Sequence, residues 1–268
     1  MKAQRLRITF ARGDDMKFVT HLDMMRFWER ALRRAGIPVA YSEGFSPHAQ
    51  ISLAAPLAVG TTSDAELMDA FLAEPMQPKR LLAALAEQLP RGISLAAAQE
   101  VGLALPALQA AVRFAEYVVD VDLSRPEGAG QQARMRGEGT GAPGAGPPTE
   151  VTAPAESTSR PQSWEEVEAA VGDFLAAETI PWQHQREQET RSYDIRAQVD
   201  ALSIERGDGN TARVHMRLKN DNSGSGRPEQ VIAALGLPAP IRIHRTKLIL
   251  EGASPARDAW RTRGRFAD

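Results

Sequence analysis

Five histidines, at positions 21, 48, 184, 215 and 244, are the side chains best suited to acid–base or metal chemistry in this 268-residue chain. Their spacing matches no metal-ligand pattern. Cysteine is absent, which removes disulfides, a thiol nucleophile and any cysteine-held zinc or iron–sulfur cluster. The chain also lacks a glycine-rich phosphate loop ending in Lys-Ser/Thr, a dinucleotide fingerprint, HExxH and the GxSxG nucleophile elbow. No cofactor and no metal are therefore expected, and attention moves to side chains that could bind.

His21 lies on the apolar side of a helical pattern, with Met25 and Trp28. In the first turn the helix dipole disfavours an imidazolium, so a neutral ring there could act as a general base or stack on a base. The alternative is a structural histidine packed at the sheet edge. Arg26, Arg30, Arg33 and Arg34 recur on the opposite face at i, i+4 and i+7/8. That spacing could track phosphates, or it could be a solvated face diluted by Asp23 and Glu29.

The loop 41–48 is the other candidate. Gly44 permits a left-handed turn and Pro47 fixes another, while Tyr41, Phe45 and His48 offer ring faces and Ser42 a hydroxyl. A base stacked on such a platform gains about 1–3 kcal/mol. Equally, Phe45 or Tyr41 could fill the core beside the sheet.

These groups need elements to hold them. Alternation of Leu6, Ile8 and Phe10 against Arg5, Arg7 and Thr9 predicts a half-buried strand. Thr20 caps a helix with Met24, Met25, Trp28, Ala31, Leu32 and Ala35 on its apolar arc, and Gly36 and Pro38 end it. Strands are expected over 39–41, 50–54, 64–72 and 93–101, with a helix over 78–89. The order is β-α-β-β-α-β, the ferredoxin-like arrangement.

The second half appears as the same order again, with no residue-level identity between the halves. It has a strand over 114–123, a helix over 164–177 with Ser163 and Glu166 as a capping box, and extended runs over 180–186, 193–205 and 213–219. A short helix over 229–235 and a strand over 241–250 complete it, leaving an extra strand or hairpin near 180–205. The expected fold class is α+β: two tandem ferredoxin-like domains with antiparallel sheets, at 1–105 and 112–252. Residues 124–162, crowded with Gly, Pro, Ala, Ser and Thr, read as a disordered insertion in the second domain. Residues 253–268 read as a basic tail carrying Arg257, Arg261, Arg263 and Arg265 with Trp260 and Phe266.

With 43% apolar and 25% charged residues the bulk should be globular, and a net charge of -2 means that any basic surface must be local. No apolar run approaches the roughly 18 residues of a membrane span, and the first ten residues lack a signal-peptide core. A cytoplasmic location is expected.

Segments 18–26 (FVTHLDMMR) and 29–47 (ERALRRAGIPVAYSEGFSP) closely resemble the radical-SAM-linked domain family of unknown function. Fainter matches follow at 56–60 (PLAVG), 193–196 (YDIR) and 243–245 (IHR). The resemblance implies a separate radical SAM enzyme as partner and supplies no reaction. After Pro47 the family pattern would have basic residues, whereas His48, Ala49 and Gln50 stand here. In layout the paired halves also resemble Cas6-type RNA-processing endonucleases, an analogy at fold level that transfers no activity.

The leading expectation is a non-enzymatic module that binds or positions an RNA-like substrate for a radical SAM partner. It would use Lys17, His21, Arg26, Arg30, Arg33, Arg34, Tyr41, Ser42, Phe45, His48 and Arg196. One competing reading is a metal-independent RNA endonuclease with His21, and possibly Tyr41, as general acid/base. Another is a protein–protein docking module that never touches nucleic acid.

Overall fold

The computed structural model describes residues 2–124, 161, 163–186, 189–221 and 224–252. The first part of the chain runs β1 (Gln4–Arg12), α1 (His21–Arg34), β2 (Ile51–Leu53), β3 (Thr61–Leu72), α2 (Pro78–Ala86), β4 (Ile93–Val101), α3 (Leu108–Ala111) and β5 (Val112–Asp122). It continues with α4 (Trp164–Ala176), β6 (Pro181–Arg186), β7 (Glu189–Asp194), β8 (Val199–Arg206), β9 (Thr211–Asp221), β10 (Gly224–Ser225), α5 (Pro228–Ala234) and β11 (Arg242–Leu250). This is a mixed α+β fold whose strands are mostly antiparallel. No described helix is long and apolar enough to cross a membrane.

The chain forms two compact units. In the first, which among the described residues comprises 2–117, 220–221, 224 and 243–252, β1 lies between β3 and β4 and is antiparallel to both. The 12-residue β3 is long enough to take two further partners on its other edge. Its C-terminal half pairs antiparallel with β2 (Leu53 opposite Met68), and its N-terminal end pairs parallel with β11 (His244 opposite Thr62).

Alternation puts Leu6, Ile8 and Phe10 of β1 on the face covered by α1 and α2, where they pack with Met24, Trp28, Leu32, Leu81 and Leu85. Trp28 is fully buried, edge-on to Phe10 and Phe27 at centroid distances of 4.8 and 5.1 Å. At about 1.5–3 kcal/mol for each fully buried large side chain, this cluster is the main support of the unit.

Helix α1 begins where the sequence predicts. Thr20 Oγ accepts from the Asp23 amide at 3.3 Å and donates to its carboxylate at 2.7 Å. At the other end Gly36 takes φ 65°, the Gly36 amide donates to Arg33 O, and the Ile37 amide donates to Leu32 O. A left-handed residue closing the last carbonyls in this way is the usual glycine stop.

In the first unit three expectations need correction. The strand expected over 39–41 is replaced by two isolated bridges, Val39 to Leu72 and Tyr41 to Ala49. Its successive residues face different partners, so no continuous ladder forms. Helix α2 ends at Ala86, short of 89, with the Gln88 amide turned back onto Leu85 O. The face of β1 opposite the helices is not solvated: Arg5 is buried, and it donates to Asp69 as well as to the carbonyls of Leu105 and Pro106.

Among the described residues the second unit comprises 118–124, 161, 163–186, 189–219 and 225–242. Here β9 neighbours β5 and pairs antiparallel with β8 (Leu202 opposite Met216). Helix α4 opens with a complete capping box, Ser163 with Glu166, and buries Val167, Val171 and Phe174. A separate hairpin, β6 with β7, sets Trp182 opposite Tyr193. The extended run expected over 193–205 is broken by a 3-10 turn at Arg196–Gln198. Asp194 Oδ1 nucleates that turn by accepting the amides of Arg196 at 3.0 Å and Ile180 at 2.8 Å. The expectations for 125–160 and 253–268 lie outside the described residues.

Candidate nucleic-acid interface

The loop 41–48 is shaped by its own polar groups. The Ser42 amide donates to His48 O at 2.9 Å, the His48 amide donates to Ser42 Oγ at 3.0 Å, and Gly44 adopts φ 121°. Only glycine holds that backbone angle without strain. The Tyr41 to Ala49 bridge closes the base. Phe45 sits at the tip fully exposed, Tyr41 is 50% exposed and His48 is exposed. Phe45 and Tyr41 therefore do not fill the core, and three rings face solvent on a loop whose ends are fixed.

At the other end of α1, the ring of His21 is half-buried and makes no hydrogen bond or ion pair among the described residues. No hydrogen bond joins it to Tyr41. Arg26, Arg30, Arg33 and Arg34 are all exposed. Arg26 pairs with Asp23 at 3.4 Å, and Arg34 donates to the Gln88 side chain and carbonyl at 3.3 Å. Arg30 and Arg33 have no partner among the described residues. Lys17 forms an exposed ion pair with Asp14 at 3.0 Å.

Arg196 belongs to the second unit, and its guanidinium is directed at the backbone, donating to Val199 O at 2.8 Å and Leu175 O at 3.4 Å. It acts as a clamp on the 3-10 turn.

Besides the pairing of Arg5 with Asp69, two clusters escaped the sequence reading. In the first, Glu66 is paired with the buried guanidinium of Arg245, and its charge also acts on the buried guanidinium of Arg12. Arg245 donates to both Glu66 oxygens, its Nε at 2.8 Å, and reaches the carbonyls of Pro56 at 3.1 Å and Ala55 at 3.4 Å. Arg12 donates to the carbonyls of Met16 at 2.8 Å, Lys17 at 2.9 Å and Val19 at 2.6 Å. Burial pushes the Arg12 guanidinium down, the charge of Glu66 opposes this, and that of Arg245 adds to it. For Arg245 burial also works against the charge, but Glu66 and Tyr117 outweigh it and raise the group. The cluster fixes the segments 17–19 and 55–56, which lie outside helices and strands, and the end of the 3-10 turn Asp14–Met16.

The second cluster is Thr62, His244 and Asp64. In the neutral ring Thr62 Oγ donates to His244 Nδ1 at 2.7 Å, and His244 Nε2 donates to Asp64 at 2.9 Å. A hydroxyl, an imidazole and a carboxylate in a row suggest nucleophilic catalysis. The burial runs the wrong way for it: Thr62 is buried, whereas Asp64 is 71% exposed. The row is a cross-strand tie between β3 and β11. His215 pairs with Glu205 at 3.1 Å in the second unit, and the side chain of His184 lies outside the described residues.

Comparison with known proteins gives one decisive match. Residues 5–228 fit the model of a family described as an uncharacterized protein conserved in bacteria (DUF2344). The chain belongs to this family. Its matched range includes the loop, α1 and Glu66, while His244 and Arg245 fall beyond it.

No curated protein matches the chain. Among solved structures it is similar to a chain of a Cbf5-Nop10-Gar1 complex, with 9% identity over 90% of this chain and 48% of that one, at TM-score 0.36. A chain of an archaeal box H/ACA sRNP Nop10-Cbf5 complex gives 11% identity over the same shares, 90% and 48%, at TM-score 0.38. An unknown protein from Galdieria sulphuraria gives 13% identity over 92% of this chain and 98% of that one, at TM-score 0.23. The family member thus spans about half the length of the two Cbf5-complex chains, and similarity at this level carries no argument about its function.

Proposed function

We propose that this member of the family is an accessory recognition module that binds or positions an RNA-like substrate for a separate radical SAM enzyme. The enzyme partner is the one implied by the resemblance of segments 18–26 and 29–47, and the reading places both proteins in the cytoplasm. One observation carries the binding site: Phe45 stands fully exposed at the tip of a loop whose base is tied by Tyr41, Ser42 and His48. An exposed ring on a fixed backbone loses little freedom when a base stacks on it. The arginine side of α1 supplies two cations that have no partner among the described residues, Arg30 and Arg33, and Lys17 lies before the helix start.

The same reading takes each half as ferredoxin-like. In the first unit the order β4-β1-β3-β2 with antiparallel neighbours supports this, and in the second the order β5-β9-β8 does.

If Lys17, Arg30 and Arg33 each meet a phosphate, the logarithm of the binding constant should fall against the logarithm of salt concentration with a slope of about -2, at roughly -0.7 per phosphate on a single strand. Titration of a short single-stranded RNA at several salt concentrations measures it. Salt-independent or absent binding would refute the reading in favour of protein docking.

A further inference from the structure

Phe18, in the turn before α1, is 71% exposed, and Leu22, in the first turn of that helix, is 68% exposed. The backbone beneath them is nonetheless held on both sides. Arg12 ties down the carbonyls of Met16, Lys17 and Val19, and the Gly60 amide donates to Lys17 O at 2.7 Å. Val19 packs against the core and Thr20 caps the helix immediately afterwards. A buried guanidinium thus fixes the segment while its largest apolar side chain points to water. The Lys17 ammonium lies 5.4 Å from the centre of the Phe18 ring. Its partner Asp14 is 78% exposed, so a phosphate can replace that carboxylate at small cost.

We propose that Phe18 is a second stacking residue of the binding surface, and that the ligand it takes is single-stranded RNA with unpaired bases. This rests on the RNA-binding reading above. An aromatic ring with a cation beside it matches one base and its phosphate. A protein interface of ordinary size would need about 20–30 residues on each side. The bases of a duplex are stacked on one another and out of reach of a protruding ring, whereas unpaired bases can lie on it.

The test compares binding of oligo(A), alone and annealed to oligo(U), by the full chain and by Phe18→Ala and Phe18→Trp. Because the side chain is exposed, the urea midpoint of both variants should match the wild type. Phe18→Ala should bind oligo(A) roughly 5- to 150-fold more weakly. Phe18→Trp should restore binding and add tryptophan emission that oligo(A) quenches, and the duplex should bind more weakly than the single strand. Wild-type affinity in Phe18→Ala, or equal affinity for the duplex, would overturn this inference and leave the RNA-binding reading standing. Failure of the wild type to bind oligo(A) would remove both and assign Phe18 and Leu22 to a protein contact.

Discussion

Replacing Glu66 by alanine should destabilise the protein by about 3–5 kcal/mol, read from the midpoint of a urea titration. The loss is large because Glu66 answers two buried cations. Without it the Arg245 guanidinium, 1% exposed, keeps the carbonyls of Ala55 and Pro56 and the Tyr117 side chain but no carboxylate, and Arg12 loses the negative charge that opposes the effect of its burial. With a typical total stability of about 5–15 kcal/mol, a loss of this size removes a large share of the margin. Glu66→Gln keeps an acceptor for Arg245 and should cost less. Amide exchange should quicken in 16–19 and 54–60 before the centre of β1, because those segments depend on the two arginines. A loss below about 1 kcal/mol would mean that the guanidiniums recover water, contrary to the burial described.

Asp69→Ala should have an effect of similar size, about 3–5 kcal/mol, by the same reasoning. Asp69 is fully buried and accepts from Arg5 Nε at 2.8 Å and Nη2 at 2.5 Å, and from Arg7 Nε at 2.8 Å and Nη2 at 3.0 Å. Removing it strands Arg5, whose remaining donors go to Leu105 and Pro106. Asp69→Asn preserves shape but replaces one accepting oxygen by a donor that faces a guanidinium, so it should recover only part of the loss. Thermal or urea unfolding of the three proteins gives the order: wild type, then Asn, then Ala. If alanine proved as stable as the wild type, this ion cluster would have no role in holding 105–106 to the sheet.

These two clusters also show which features of the chain sequence reading could reach. Helix α1 was legible because its signals are local: Thr20 at the start, apolar residues at Met24, Trp28, Ala31 and Leu32, and Gly36 at the stop. Strand β3 was legible despite its helix-friendly composition, from the alternation through Asp69. Arg5 with Asp69, and Arg245 with Glu66, lie 64 and 179 residues apart, and no local periodicity connects such pairs. Arg12 lies beyond the alternation of Leu6, Ile8 and Phe10 that marked the strand, and the structure ends β1 on it and makes it the anchor of the turn before α1.

The loop 41–48 was legible as shaped, from Gly44 and Pro47, but the destination of its rings was not. Whether Phe45 turns inward or outward depends on the short bridges to Leu72 and Ala49 that replace the expected strand. Arg196 looked like a free cation because its acceptors, Val199 O and Leu175 O, are carbonyls that any residue could supply. The Thr62, His244 and Asp64 row was missed for a related reason, since it exists only through the parallel pairing of β11 with β3.

The central claim is that the loop tipped by Phe45 binds single-stranded RNA, and the direct measurement is the affinity of the full chain and of Phe45→Ala for a short oligo(A) or oligo(U). The account predicts saturable binding by the wild type and roughly 5- to 150-fold weaker binding by Phe45→Ala. The variant should keep an unchanged urea midpoint, because a fully exposed ring contributes nothing to the core. No binding by the wild type, or equal affinity in the variant, would contradict it.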